Sequence, residues 1–283
     1  MIPAKFDYER AGSVDEALTM LAQHGDSAKI LAGGHSLIPA MKLRLNQPGV
    51  LIDIGRIKEL RYIKDGGDHV AIGAGATHDD ILNSDHFGGG LEMWPEAAGM
   101  IGDPQVRHKG TLGGSIAHAD PAADWPAVLL ASDATIVVKG SGGQREIASS
   151  DFFTGFYMTD LQDGELILEI RVPKPPAGSK SSYQKFMQPA SRFAIVGCAA
   201  VITMDGGSCS RARIGMTGVA DGPYRATNVE DALTGKSLDE STVESACAGA
   251  AEGQSVMSDH FASESYREHL ARVYAKRAVM AAQ

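Results

Sequence analysis

Apolar positions change their period several times along this chain, and each change predicts an element. Val14, Ala17, Leu18 and Leu21 recur at i, i+3, i+4 and i+7 behind Ser13-Val-Asp-Glu16, where the serine can cap a first turn and the glutamate reach back. An amphipathic helix over 14–24 follows. The pattern then shortens: Lys29–Ala32, Val50–Ile54 and His69–Ala74 are brief apolar runs that read as strands, the last one edged by the turn Asp65-Gly-Gly-Asp68. Thr77-His-Asp-Asp80 reads as a helix start. Residues 94–101 read as a helix that ends before Gly102-Asp103-Pro104, and 124–131 as another. Thr135–Lys139, Gln144–Ile147 and Glu165–Val172 alternate as strands do.

Pro173-Lys-Pro-Pro-Ala-Gly-Ser-Lys180 breaks this sequence of elements. Its three prolines stiffen the backbone and remove ladder donors, which marks a domain boundary. Beyond it, strand-like runs cover Ala194–Met204 and Ala212–Val219 on either side of the turn Asp205-Gly-Gly-Ser208, and helices follow. On the terminal helix Ser265-Tyr-Arg-Glu268 reads as a second capping box. Tyr266, Leu270, Val273, Tyr274 and Ala278 make an apolar stripe suited to a core rather than to a cofactor. No internal repeat or low-complexity segment is visible.

At 283 residues the chain is long enough for two or three modest domains. Its net charge of −9, with no basic stripe, argues against a nucleic-acid binder, because phosphate affinity needs clustered cations. Three cysteines without CxxC spacing encode neither a disulfide framework nor an iron–sulfur or zinc site. The first ten residues lack a basic segment followed by an apolar core, and no apolar run approaches the ~18 residues a membrane span needs. A cytoplasmic chain with at most peripheral membrane association is expected.

Two short segments carry the candidate chemistry. Ala32-Gly33-Gly34-His35-Ser36 and Thr111-Leu112-Gly113-Gly114-Ser115 each pair glycines, where backbone can approach a ligand, with a closing hydroxyl. Successive backbone N–H groups turned into a concavity bind anions without a lysine, so two such loops could grip one pyrophosphate between them. Other motifs fall away. Gly73-Ala-Gly75-Ala-Thr-His78 has histidine where a dinucleotide fingerprint needs a third glycine or alanine, and Gly235-Lys-Ser237 has Glu230 where a P-loop needs glycine. No HExxH or Gly-x-Ser-x-Gly is present, and no close carboxylate pair stands out. The chain reads as a cofactor holder whose chemistry belongs to the cofactor.

The stretch from Asp103-Pro-Gln-Val-Arg-His-Lys-Gly-Thr-Leu-Gly-Gly-Ser through Asp124-Trp-Pro126, with Ala-Gly-Gly-His-Ser upstream, resembles the FAD-binding subunits of molybdenum hydroxylases. These belong to the xanthine dehydrogenase family, and the medium subunits of aerobic carbon monoxide dehydrogenases are the most similar branch. The resemblance runs over nearly the whole chain. It implies an α+β fold: a two-subdomain FAD-binding unit of the vanillyl-alcohol-oxidase (PCMH) type, over 1–55 and 56–176, and a smaller α+β C-terminal domain over 177–283. It implies non-covalent FAD, with Ala32, Gly33, Gly34, His35 and Ser36 and then Thr111, Gly113, Gly114 and Ser115 on the pyrophosphate. Ile101 is implied as an apolar contact near the flavin and Asp124 as an acceptor toward the adenosine side. Ile167 and Lys185 are implied as contacts on either side of the linker. Phe193 is implied beside the isoalloxazine, where close relatives carry tyrosine, so shielding survives and a hydroxyl is lost.

The same resemblance implies a place in a relay. A large partner would hold the molybdopterin-type cofactor and a small one two [2Fe–2S] clusters, in a dimer of heterotrimers. Electrons would pass from the clusters through FAD to an external acceptor. Two other classes remain open: a free-standing FAD-dependent oxidase or reductase, with His35 as a point of covalent attachment, and an assembly protein that binds no flavin. The substrate of the complex lies outside this sequence.

Overall fold

The computed structural model describes all 283 residues. Strands β1 (Asp7–Arg10), β2 (Ala28–Leu31) and β3 (Val50–Asp53) form a parallel sheet in the order β1-β3-β2. Helix α1 (Val14–His24) packs on it through Val14 and Ala17, and α2 (Leu37–Lys42) leaves it from the end of β2. Ser13 caps α1 as expected, but Glu16 reaches back to the N–H of Gly12 rather than to that of the cap residue.

An antiparallel sheet follows. Strands β4 (Ile63–Asp65), β5 (His69–Gly73), β6 (Thr135–Gly140) and β7 (Gly143–Ala148) join β10 (Leu166–Pro173) in the order β4-β5-β10-β6-β7, while β8 (Phe153–Gly155) and β9 (Met158–Thr159) form a separate hairpin. The long connection between β5 and β6 folds as α3 (His78–Leu82), α4 (Met93–Met100), α5 (Pro104–Arg107), α6 (Leu112–His118) and α7 (Trp125–Ala131). Trp94 and Trp125, both fully buried, anchor α4 and α7 in a core of 29 residues shared with this sheet.

Strands β11 (Ser179–Met187), β12 (Ala194–Asp205), β13 (Ser208–Thr217) and β14 (Tyr224–Arg225) form a second antiparallel sheet in chain order. It is covered on both faces, which explains why β12 reads as one continuous apolar run. Ala199 and Val201 face the core of the five-stranded sheet, while Cys198, Ala200 and Ile202 face a core closed by α9 (Thr227–Leu233), α10 (Glu240–Cys247) and α11 (Glu264–Ala281). Here α8 (Ser149–Phe152) is the one helix of the middle unit that lies after β7.

Several expectations change. The cap of α11 is Ser263, whose hydroxyl accepts from Tyr266 N–H, so the box expected at Ser265 is inside the helix. The expected stripe is displaced as well: Leu270, Tyr274 and Ala278 are buried, Tyr266 is exposed, and Arg267 is buried in its place. Strand β13 starts at Ser208, four residues ahead of its apolar part. The second glycine segment is not a loop at all but the first turn of α6.

Candidate cofactor site

A cavity of about 810 Å³ opens between the three-stranded and five-stranded sheets, at the upper end of the ~300–1,000 Å³ typical of ligand sites. Its walls come from the β2–α2 segment, from α6 and the loop after it, from β10 with the turn before it, and from the loop between β11 and β12.

The β2–α2 segment forms the floor. Leu31 ends its strand by accepting from Ile54 N–H, and from Ala32 to Leu37 no backbone N–H meets a protein acceptor. Six consecutive donors are therefore left for a ligand, in a stretch bent by Gly34 at φ 73°. Unpartnered N–H groups of this number, beside a cavity, are what an anion nest requires. Gly33 is required for a second reason: a Cβ there would lie 2.0 Å from the carbonyl oxygen of Lys109. The segment is thus pressed against residues 109–110. His35 is exposed and folds back, its Nδ1 donating to Gly33 O at 2.9 Å.

The second segment differs from its expected role. Leu112 N–H bonds to Ala76 O, Gly113 N–H to Ala74 O, Gly114 N–H to Thr111 Oγ1 and Ser115 N–H to Thr111 O. These bonds tie the start of α6 to the segment just after β5 and close its own first turn, so they do not duplicate the nest across the cavity. The segment offers instead the exposed backbone of Gly114 and the Ser115 hydroxyl, both in the cavity wall.

Ile101 ends α4 and lines the cavity; Arg107 holds it there by donating from Nη1 to its carbonyl at 3.1 Å. Ile167 is buried on β10 at a break in register and lines the opposite wall. Phe193, 42 % exposed, stands at the mouth just after Arg192 at φ 62°. Asp124 also reaches the cavity, but both its oxygens accept from Lys185 Nζ, at 2.8 and 3.0 Å, and Oδ1 accepts from Tyr183 OH at 2.5 Å. Lys185 is fully buried and ties this cluster to Met100 O at 3.1 Å, so it is not a solvated surface charge. Burial raises the Asp124 carboxyl above its ordinary value, against the pull of the lysine, and drives the Tyr183 phenol well up.

Three participants were missed from sequence. His78 lies at the start of α3, 5 % exposed, and lines the cavity; burial pushes its pKa down to about 4. Tyr157 and His118 face each other at 5.2 Å near the mouth, with Tyr157 OH donating to Asp120 at 3.0 Å. A lone histidine and a turn tyrosine carry no periodic signal. The segment 121–124 is fixed by the third sheet: Thr217 Oγ1 donates toward Pro121 O and Ala123 O, Gly218 N–H to Pro121 O, and Ala194 N–H to Ala122 O.

The chain matches known families over nearly its whole length. Residues 4–175 match the family described as FAD binding domain in molybdopterin dehydrogenase, and 181–282 match the CO dehydrogenase flavoprotein C-terminal domain. The carbon monoxide dehydrogenase medium chain of Hydrogenophaga pseudoflava is 41 % identical over 282 residues, covering 100 % of this chain and 98 % of that one. The glyceraldehyde dehydrogenase medium chain of Sulfolobus acidocaldarius is 38 % identical, covering 98 % of each. A chain of the solved Hydrogenophaga pseudoflava carbon monoxide dehydrogenase superposes with a TM-score of 0.96 at 43 % identity, over 100 % of this chain and 98 % of that one.

Proposed function

The chain belongs to the family of FAD-binding subunits of molybdopterin-dependent dehydrogenases, and from that premise we propose that it carries electrons from [2Fe–2S] clusters on a small partner subunit, through its own FAD, to an external acceptor. The observation that carries the reading is the run of six unpartnered N–H groups at 32–37, in a cavity roomy enough for a dinucleotide. Bound FAD supplies the exchange between electron pairs and single electrons. The residues of this chain bind and orient it. The nest would donate to the pyrophosphate oxygens, Gly114 and Ser115 would border the same region, Ile101 and Ile167 would exclude water from the walls, and the Asp124–Lys185 pair would fix the inner end of the cavity.

The division 1–55, 56–176 and 177–283 is supported by the three sheets, with residues 174–178 as the crossing. The oxidation of substrate belongs to a large molybdenum subunit in a dimer of heterotrimers. Relatives named for carbon monoxide and for glyceraldehyde share this architecture, so the substrate is read on that partner. No helix is long and apolar enough to cross a membrane, all three cysteines are free and buried, and a cytoplasmic complex is the setting we infer.

The test is reconstitution. The chain loaded with FAD should leave substrate untouched, and flavin reduction should follow cluster reduction in stopped-flow traces only when both partners are added. Acid precipitation should release the flavin into the supernatant. Reduction of the flavin in the isolated chain by the substrate of the complex, or yellow colour retained in the pellet on His35, would make it a free-standing oxidase instead.

A further inference from the structure

We propose that His78 is a hydrogen-bond donor, through Nε2, to an oxyanion oxygen of the pyrophosphate in the bound dinucleotide. The proposal rests on the FAD reading above. Two neighbours fix the ring. Trp125 Nε1–H can only donate, so His78 Nδ1, 3.1 Å away, holds its lone pair there, and a neutral imidazole then carries its proton on Nε2. Trp125 is itself packed at 5.4 Å against Trp94, which stacks on Phe87, so the indole cannot swing away.

The Nε2–H group has no partner in the protein. The polar side-chain atoms sealed from solvent without a partner are the Nε atoms of Arg107, Arg192 and Arg267, and His78 Nε2 is not among them. In a ring 5 % exposed, that remaining access is to the cavity the ring lines. A ligand entering the cavity displaces water from this donor, so an acceptor on the ligand must take the place of that water.

Position argues for the oxyanion. A Cβ on Gly110 would lie 2.7 Å from Nε2, and one on Gly33 would lie 2.8 Å from Gly110 Cα. The imidazole edge, the Gly110 backbone and the start of the free N–H run are therefore in continuous contact, and His78 places a side-chain donor beside the nest. With Nδ1 accepting from the indole, the ring has its single proton on Nε2, in keeping with the burial that lowers its pKa to about 4 in the apoprotein. Alanine or phenylalanine here would also strand the Trp125 indole, whereas asparagine keeps an oxygen near the Nδ1 position and removes only the distal donor.

Apoprotein carrying His78→Asn is titrated by calorimetry with FAD, ADP and riboflavin, with tryptophan fluorescence reporting the Trp125 surroundings. The expected result is a loss of about tenfold for FAD and for ADP, none for riboflavin, and an unchanged emission spectrum. Wild-type affinity for FAD and ADP would overturn the proposal, and so would a loss confined to riboflavin, which would move the donor to the ribityl chain or ring. If the asparagine variant does not fold, His78→Gln, which keeps a distal N–H, is compared with His78→Met, which has none. Tighter ADP binding by the glutamine variant supports the proposal and equal binding overturns it. Failure of the wild-type chain to bind FAD would instead sink the functional reading.

Discussion

Lys185→Met should destabilise the apoprotein by an amount that depends on pH in a calculable way. The ammonium bonds to both Asp124 oxygens at 2.8 and 3.0 Å, and the two side chains are 0 % and 5 % exposed. Removing it leaves a buried carboxylate whose one remaining side-chain donor is Tyr183. Stripping one partner from a buried pair costs about 3–5 kcal/mol. A ceiling applies, because Asp124 can take up a proton instead. Relative to an ordinary carboxyl at 3.8, that uptake costs about 1.4 kcal/mol per pH unit, hence about 4 kcal/mol at pH 7 and under about 2 at pH 5. The sign is that of a carboxyl with a raised folded-state pKa: its penalty is full above that pKa and fades as pH falls toward the unfolded value. Urea melts of wild type and variant at pH 5, 6 and 7 should show the gap widening with pH. The double variant Asp124→Asn/Lys185→Met should recover most of the loss. A gap below about 1 kcal/mol at pH 7, or one that does not change with pH, would refute the burial argument.

Gly33→Ala should lower FAD affinity at least about tenfold, the equivalent of one strong hydrogen bond, while far-ultraviolet dichroism is retained. The added Cβ would sit 2.0 Å from Lys109 O, so the nest must shift, and fluorescence titration showing wild-type affinity would contradict that. Acid should weaken the apoprotein through His78, whose folded pKa of about 4 lies below the ordinary 6.5. The unfolded chain binds the extra proton, so up to about 3 kcal/mol is lost as pH falls from 6.5 to 4. Melts of His78→Asn should lack this component, and a parallel pH profile in both proteins would count against it.

The elements legible in sequence are those where local signals agree. Helix α1 has a cap and a clean period, and β12 is apolar throughout because both faces are covered. Strand β1, Asp-Tyr-Glu-Arg, lies at a sheet edge with mostly exposed side chains, so no alternation could show it. Helix α6 was hidden by its glycines, although Thr111 as cap with Leu112 and Ile116 buried four apart was a usable signal. The capping-box template picked Ser265 because Glu268 follows at the right spacing, whereas Ser263 caps with tyrosine at that position. Of the site, the glycine segments were legible as a chemistry, but which of them has free donors depends on where Ala74 and Ala76 lie. The Asp124–Lys185 pairing joins residues 61 positions apart, and only the packing of α7 on the last sheet brings them together.

Buried Arg267 on α11 donates to Ile195 O at 2.6 Å and to Gly218 O at 2.5 Å, beside the bonds that pin residues 121–124. During synthesis from the N-terminus, both glycine segments leave the ribosome long before this guanidinium exists. The inner wall at Asp124 is thus tied, through Gly218 and Pro121, to a side chain that is synthesised after every other part of the cavity.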